Sequence, residues 1–552
     1  MLFGRKTRDA LVALLEFLRR KLASRPLPVL LSGAFVLLYL NLFRLPGTPI
    51  FIGEDQNLFL LDATRMLHGE MIYRDFFELT TPGIVLVNFA LFKVFGPHAW
   101  IPNAALLLVG LGLVWLITAL SRRVLQGPSV FLPGALFLAV LFAPMLDDTH
   151  QWYSAMASLG AVLAIIDKRS RNRLLAAGAL CGLASFFTQT KGAFTVLGLA
   201  IFLGWEARQG GHQRKDILRR WGYLLASYVA TFFAMCGYFI WKAGLARFLY
   251  CTVGFVLKYY PADRTVNSLA VVMFDIPEMT QWHDWFDLAV YVFLHALLPL
   301  VYVWFWWRRR RGKPAAEKAS QLMLFNITGI LALAAVAPSP STYRLSAVAP
   351  WGLILLVWLI GGEGRRRRAA RIGLWIVIAC FAMASALPTQ TEKLRLVDLP
   401  RGRLAMDATD SERFLWLAQH TAPGDYSFEA SYMEVYFPLG LRDPAEIPGV
   451  KPNAYTRPEQ VSRTVAALEK HRVRLVISDP GLEFQSESKS RENRMAPKRG
   501  LVRTFFHRIK ELLGGDNRSR QDNLGPLRAY IRAHYHLTAT LPGQMEVWER
   551  NP

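Results

Sequence analysis

Acidic side chains gather at two places in an otherwise apolar chain. Glu54, Asp55, Asp62, Asp75 and Glu78 follow the first long apolar run, and Asp147, Asp148 and His150 fall between two later ones. Carboxylates beside a membrane that face a cavity act as general bases, bind a divalent cation, or hold a polar substrate whose other end lies in lipid. Each also has a plainer reading. Asp55, just before a helical run, equally suits an N-terminal cap favoured by the helix dipole. Asp62 shares its helix face and lies three residues before Arg65, which favours a local ion pair. Asp75 and Glu78 flank Phe76 and Phe77, an aromatic pair that stacks on a sugar ring or anchors the loop in headgroups. Cations complete the pattern: Lys191 in FFTQTKGAF, Arg344 in SPSTYRLSAVAP and Arg74 in YRDFF. Fixed positive charge near the headgroup plane, where water is depleted, pairs with phosphate. Lys and Arg near helix ends also snorkel to the interface with no ligand at all.

The elements that must position these residues are membrane helices. Of 552 residues 53% are hydrophobic and only 19% charged, below the share of an ordinary soluble chain. Apolar stretches able to cross about 30 Å of hydrocarbon recur along the first 390 residues. They predict spans over 27–45, 101–121, 129–146, 153–167, 174–190, 192–206, 221–243, 288–307, 320–337, 345–361 and 372–388. Basic clusters at Arg19 to Lys21, Arg122 and Arg123, Lys168 to Arg173, Arg214 to Arg220, Arg308 to Arg311 and Arg365 to Arg368 belong on the cytoplasmic side. An eleven-helix count puts all of them there and leaves the C-terminus outside. The net charge of +23 then reflects short loops facing anionic headgroups, not a nucleic-acid surface. Cys181, Cys236, Cys251 and Cys380 have no metal-type spacing and read as buried free thiols.

The expected fold is therefore a polytopic α-helical membrane protein of about eleven spans with a C-terminal α/β domain. Residues 1–26 form a cytoplasmic amphipathic segment, with an interfacial helix over 8–24 and no signal-peptide cleavage pattern. Residues 27–388 form the membrane part, with long outside loops at 46–100 and 244–287. In the first loop DQNLFLLDATRMLHG and GIVLVNFALFKVFG predict two helices lying along the outer membrane surface. Residues 389–552 form a non-cytoplasmic domain, in which SERFLWLAQHTAPG, EQVSRTVAALEKH, VRLVISDP and MEVWER predict helices and short strands. Residues 500–514 suit either a lipid-resting or an ordinary amphipathic helix.

The stretch DQNLFLLDATRMLHGEMIYRDFFELTTPG resembles the first outside loop of the GT-C superfamily of polyprenyl-phosphate-sugar glycosyltransferases. Its nearest branch holds the bacterial relatives of protein O-mannosyltransferases and of the lipid A aminoarabinose transferase. Asp55, Phe59, Ala63, Met66, Leu67, Gly69, Tyr73, Asp75, Phe76, Pro82 and Gly83 occupy the places of that pattern. The departure is Gln56, where the pattern has Glu. Asp147 with Asp148, Lys191 with Gly192, and Tyr343 with Arg344 before Pro350 extend the likeness. The resemblance implies a polyprenyl-phosphate-sugar donor entering from the membrane lipids and a glycan, lipid or protein acceptor arriving from outside. Asp55 would deprotonate the acceptor, and attack at the anomeric carbon would invert it. Lys191 and Arg344, with Arg74, would meet the lipid phosphate. Glu54, Asp75, Glu78, Asp147, Asp148, His150 and Tyr343 would orient substrate, and a divalent cation is left open. A transporter or flippase would share the many helices, although no inverted repeat is apparent. A glycan polymerase or ligase would share the donor chemistry.

Overall fold

A computed structural model describes residues 26–53, 55–211, 213–277, 279, 284–311, 316–361, 364–431, 433–484 and 522–552. The expected helices at 8–24 and 500–514 lie outside these residues. Each predicted apolar segment is helical: Pro26–Leu42, Trp100–Ser121, Leu132–Met145, His150–Ile165, Arg171–Phe187, Gln189–Gln209, Arg214–Ala243, Asp284–Arg310, Lys318–Val336, Thr342–Val348 with Pro350–Ile360, and Arg365–Thr391. The count of eleven spans is nevertheless corrected. Among the described residues, five helices are long and apolar enough to cross a membrane, or six if the pair Thr342–Val348 and Pro350–Ile360, bent by 65°, makes one span. Pro26–Leu42, with 17 residues, reaches about 25 Å at 1.5 Å per residue, short of a full crossing. Leu132–Met145 is interrupted by a π segment over Phe137–Phe142, and Gln189–Gln209 carries Lys191, Glu206 and Arg208.

Close helix packing rests on small residues. A Cβ on Gly178 would fall 2.2 Å from the Leu224 carbonyl oxygen, and one on Gly182 would fall 2.7 Å from that of Tyr228. Four residues apart on one face, the two glycines let Arg171–Phe187 lie directly against the backbone of Arg214–Ala243.

The bundle has two chemically distinct ends. At one, Arg123 pairs with Asp167 at 2.9 Å, Arg169 pairs with Glu206 at 2.8 Å, and the Ser320 hydroxyl donates to Glu206 at 2.8 Å. Basic loops from four parts of the chain thus meet there. At the other end the C-terminal residues dock on the first long loop: the N–H groups of Phe51, Phe77 and Ala99 donate to the carbonyls of Ala405, Glu446 and Arg401 at 2.8 to 2.9 Å. Both predicted loop helices form, as Gln56–Leu67 and Gly83–Phe95.

From Arg395 onward the chain is α/β. A hairpin of Arg395–Leu399 and Gly402–Met406 precedes a four-stranded sheet in the order Ser427–Glu429, Leu475–Ser478, Met545–Arg550, Tyr535–Leu541. The first two strands are parallel and the other neighbours antiparallel. Every residue of Leu475–Ser478 is buried, as a central strand covered by the amphipathic helices Ala408–His420, Pro458–Lys470 and Gly525–His534 requires. The elements predicted at SERFLWLAQH, EQVSRTVAALEKH, VRLVISDP and MEVWER are all present.

Candidate active site

The site begins where Gln56–Leu67 begins. A helix start leaves N–H groups without intrahelical partners, and Asp55 stands at the capping position, yet its side chain caps nothing. The Gln56 N–H donates instead to Asp147 Oδ1 at 2.9 Å, and the Asp148 N–H donates to Gln56 Oε1 at 3.0 Å. This reciprocal pair fixes the helix start to the loop 147–149 and leaves the Asp55 carboxylate unused. Gln56, the departure from the expected Asp-Glu pair, accepts here as a Glu would, and its Nε2 also donates to the Ile52 carbonyl at 3.3 Å, a bond a carboxylate cannot make. Asp55 keeps solvent-accessible surface although protein surrounds its carboxyl. Burial raises its carboxyl above the ordinary carboxylate range, and the charges of Arg344 and Lys451 pull it part of the way back.

Arg344 is aimed by the bend after Val348. The Ser341 side chain caps Thr342–Val348 by accepting from the Arg344 N–H, and the guanidinium donates to Tyr260 OH at 2.8 Å, to Asn267 Oδ1 at 3.2 Å and to the Val266 carbonyl at 3.1 Å. These partners are neutral, so the positive charge stays available. Tyr343 donates to the Asp147 carbonyl at 3.3 Å and shares a hydrogen bond with Thr149 Oγ1 at 2.5 Å.

Lys191 sits at the start of Gln189–Gln209, opposite the end of Arg171–Phe187. Gly192 permits this: a Cβ there would lie 2.3 Å from the Ser185 nitrogen. Lys191 is 4% exposed and its Nζ has no hydrogen-bond partner among the described residues. Its charge neighbours are also basic, since Arg344 acts on it and both act on His150. His150 Nδ1 lies 2.8 Å from Thr188 Oγ1 in the same wall. Arg344 thus acts electrostatically on both the Asp55 carboxyl and Lys191, and Lys191 is buried with no ion-pair partner among the described residues.

No family model matches the sequence, and no curated protein matches it. Solved structures do. ArnT from Cupriavidus metallidurans in the apo state is 13% identical, with 95% of this chain and 98% of that chain covered at a TM-score of 0.57. The same protein bound to undecaprenyl phosphate gives a TM-score of 0.55 over 94% of this chain and 97% of that chain, again at 13% identity. The oligosaccharyltransferase AglB from Archaeoglobus fulgidus, in complex with an inhibitory peptide and a dolichol-phosphate, is 12% identical over 84% of this chain and 70% of that chain, at 0.49. The chain has a GT-C fold.

Within this GT-C fold the other expected site residues divide. Asp147 and Asp148 are at the site but are buried, Asp147 as the helix cap and Asp148 accepting from Tyr153 OH at 2.9 Å. Burial pushes the Asp148 carboxyl up to about 7. Asp75 and Arg74 engage each other at 2.7 Å, and Asp75 also accepts from the Met71 N–H, so neither joins the cluster. Glu78 is buried, accepts from the Thr80 N–H at 2.6 Å and faces Asp62. The local pair expected for Asp62 is corrected, because the Arg65 guanidinium turns to Glu70 at 2.8 Å and Asp443 at 3.6 Å. Glu54 lies outside the described residues. No group of three His, Cys, Asp or Glu side chains among the described residues is arranged to hold a metal ion. Cys181, Cys236 and Cys251 are free and buried, and Cys380 is free and half-buried. Sequence reasoning missed Tyr260, Asn267, Lys451 and Thr188. Their partners lie from tens of residues to almost 400 residues away, so no local spacing marks them.

Proposed function

We propose that this protein is a membrane glycosyltransferase that moves a sugar from a polyprenyl-phosphate-linked donor to a hydroxyl acceptor at the outer face of the cytoplasmic membrane. The observation that carries the reading is the Lys191 side-chain nitrogen, buried and without a partner among the described residues, within the field of Arg344. An unpaired buried charge costs several kcal/mol, a cost that an anionic ligand removes. A lipid phosphate suits the position, because it develops charge as it leaves and both cations can meet that charge. Asp55 is the general base: its carboxylate is exposed, unengaged by the helix it precedes, and within the field of Arg344. It would take the acceptor proton while the acceptor oxygen attacks the anomeric carbon from the face opposite the phosphate, inverting its configuration. His150, Tyr343 and Asp147 shape the walls. The C-terminal α/β unit lies on the non-cytoplasmic side, and the acceptor is a glycan, lipid or protein.

The test is transfer by the purified protein in lipid nanodiscs from a synthetic polyprenyl-phosphate sugar. Asp55→Asn is expected to lower the rate by about 10²- to 10⁴-fold, the usual weight of a positioned base, with an unchanged melting temperature. Full activity in that variant removes Asp55 from the mechanism.

A further inference from the structure

A second polar cavity, of about 200 Å³, opens in the C-terminal α/β unit and is lined by Arg413, Glu429, Ser431, Glu434, Ser478 and Asp479. It sits at the carboxyl ends of the parallel strands Ser427–Glu429 and Leu475–Ser478, where α/β sheets commonly take ligands because the loops diverge there. Two lining groups lack partners. Ser478 is 2% exposed and Glu429 is 1% exposed, yet Ser478 Oγ and Glu429 Oε1 have no hydrogen-bond partner among the described residues. Buried polar atoms are satisfied in all but a few cases, and an orphan at a cavity wall is a place a ligand would fill. Burial holds the Glu429 carboxyl well above its ordinary range. The Arg413 guanidinium is already turned to the Pro542 carbonyl at 2.6 Å and to Asp410 at 3.2 Å. Carboxyl and hydroxyl groups therefore supply most of the polar side chains of the lining, beside the apolar Ile477 and Met545. Such a lining repels phosphate and accepts many hydroxyl hydrogens, which is the chemistry of a sugar ring.

The cavity also has a position. A Cβ on Gly53 would meet Glu434 Oε1 at 2.8 Å, so the rim of the cavity touches the backbone two residues before Asp55, about 7 Å of extended chain away. We infer that this cavity holds a sugar ring of the acceptor, which makes the acceptor a glycan and the C-terminal unit the part that presents it to Asp55. The inference rests on the transferase reading for its purpose but not for its binding chemistry.

Ligand-observed NMR on the full chain in nanodiscs tests it, with glucose, galactose, mannose and N-acetylglucosamine as probes and glucose 6-phosphate as the anionic control. At least one neutral sugar is expected to bind, with the phosphorylated one at least tenfold weaker. Ser478→Ala removes a hydroxyl that has no partner among the described residues and adds no volume. Glu429→Gln keeps the acceptor that the Val435 N–H uses. Each should weaken sugar binding about tenfold without lowering the melting temperature or changing polyprenyl-phosphate binding. No binding by any neutral sugar, or binding that both variants leave intact, overturns the inference. Sugar binding here with no polyprenyl-phosphate binding by the wild type would instead overturn the transferase reading and leave the cavity standing.

Discussion

A carboxylate at a helix start is drawn to the unpaired N–H groups there, and Asp55 is spared that role because Asp147 already fills it from another loop. What remains at Asp55 is a carboxyl whose ionisation is set by its surroundings. Burial lifts it above the ordinary 3.8, while Arg344 and Lys451 lower it. A base must be ionised to accept a proton, so transfer should decline as pH falls through a midpoint lying above that ordinary value. Lys451→Gln withdraws one of the two opposing charges, and the midpoint of the pH–rate profile should then move upward. A midpoint that stays put, or moves down, would show that another group controls the limb. Lys191 makes the opposite case. Its side-chain nitrogen makes no hydrogen bond among the described residues, so Lys191→Met should keep or raise the melting temperature. Polyprenyl-phosphate affinity should nevertheless fall about tenfold to a hundredfold, the weight of one charge-assisted hydrogen bond of about 1.5–3 kcal/mol. Titration calorimetry with the lipid phosphate reads one half of that prediction and thermal unfolding the other.

The helix Gln56–Leu67 is where fold and site are least separable. Its start is held by Asp147, and its far part carries the buried Asp62, which faces the buried Glu78; burial lifts both carboxyls above their ordinary range. A carboxyl raised in the folded state binds a proton the unfolded chain has released, so stability falls as pH rises above the unfolded value near 4. Asp62→Asn removes the titration and can still donate to Glu78, so it should raise the melting temperature at pH 8 more than at pH 5. Asp147→Ala should cost about 0.5–2 kcal/mol of helix stability and, by releasing the helix start, lower transfer while Asp55 itself is intact. How far the sequence could foresee this differs along the element. The helix, the Asp55 position, Lys191 and Arg344 were legible, because apolar periodicity and charge beside apolar runs are local signals. The exchange of caps between Gln56 and residues 147 and 148 spans about ninety residues, and the turning of Arg65 toward Asp443 spans almost four hundred. No local pattern encodes either. The span count failed because Pro26–Leu42 is too short to cross and Gln189–Gln209 carries Lys191, Glu206 and Arg208, so neither is long and apolar enough to count as a span.

Across the whole molecule the charge is segregated. Arg123, Arg169 and Glu206 meet at one end of the helices, and the α/β unit docks on the long first loop at the other. Because Lys and Arg in short loops are retained in the cytoplasm, this separation predicts a single orientation, in which Asp55 and the cavity of the α/β unit would both face away from the cytoplasm. Lys470, exposed on the helix Pro458–Lys470, and Arg366, exposed at the start of Arg365–Thr391, report the two sides. In a Cys380→Ser background, where the other native thiols are buried, a membrane-impermeant maleimide should label Lys470→Cys in spheroplasts and Arg366→Cys only after lysis. The reverse pattern would place the α/β unit in the cytoplasm. A lipid-linked donor would then have to present its sugar on the cytoplasmic leaflet, so the orientation decides which leaflet's donor the Lys191 and Arg344 pair can reach.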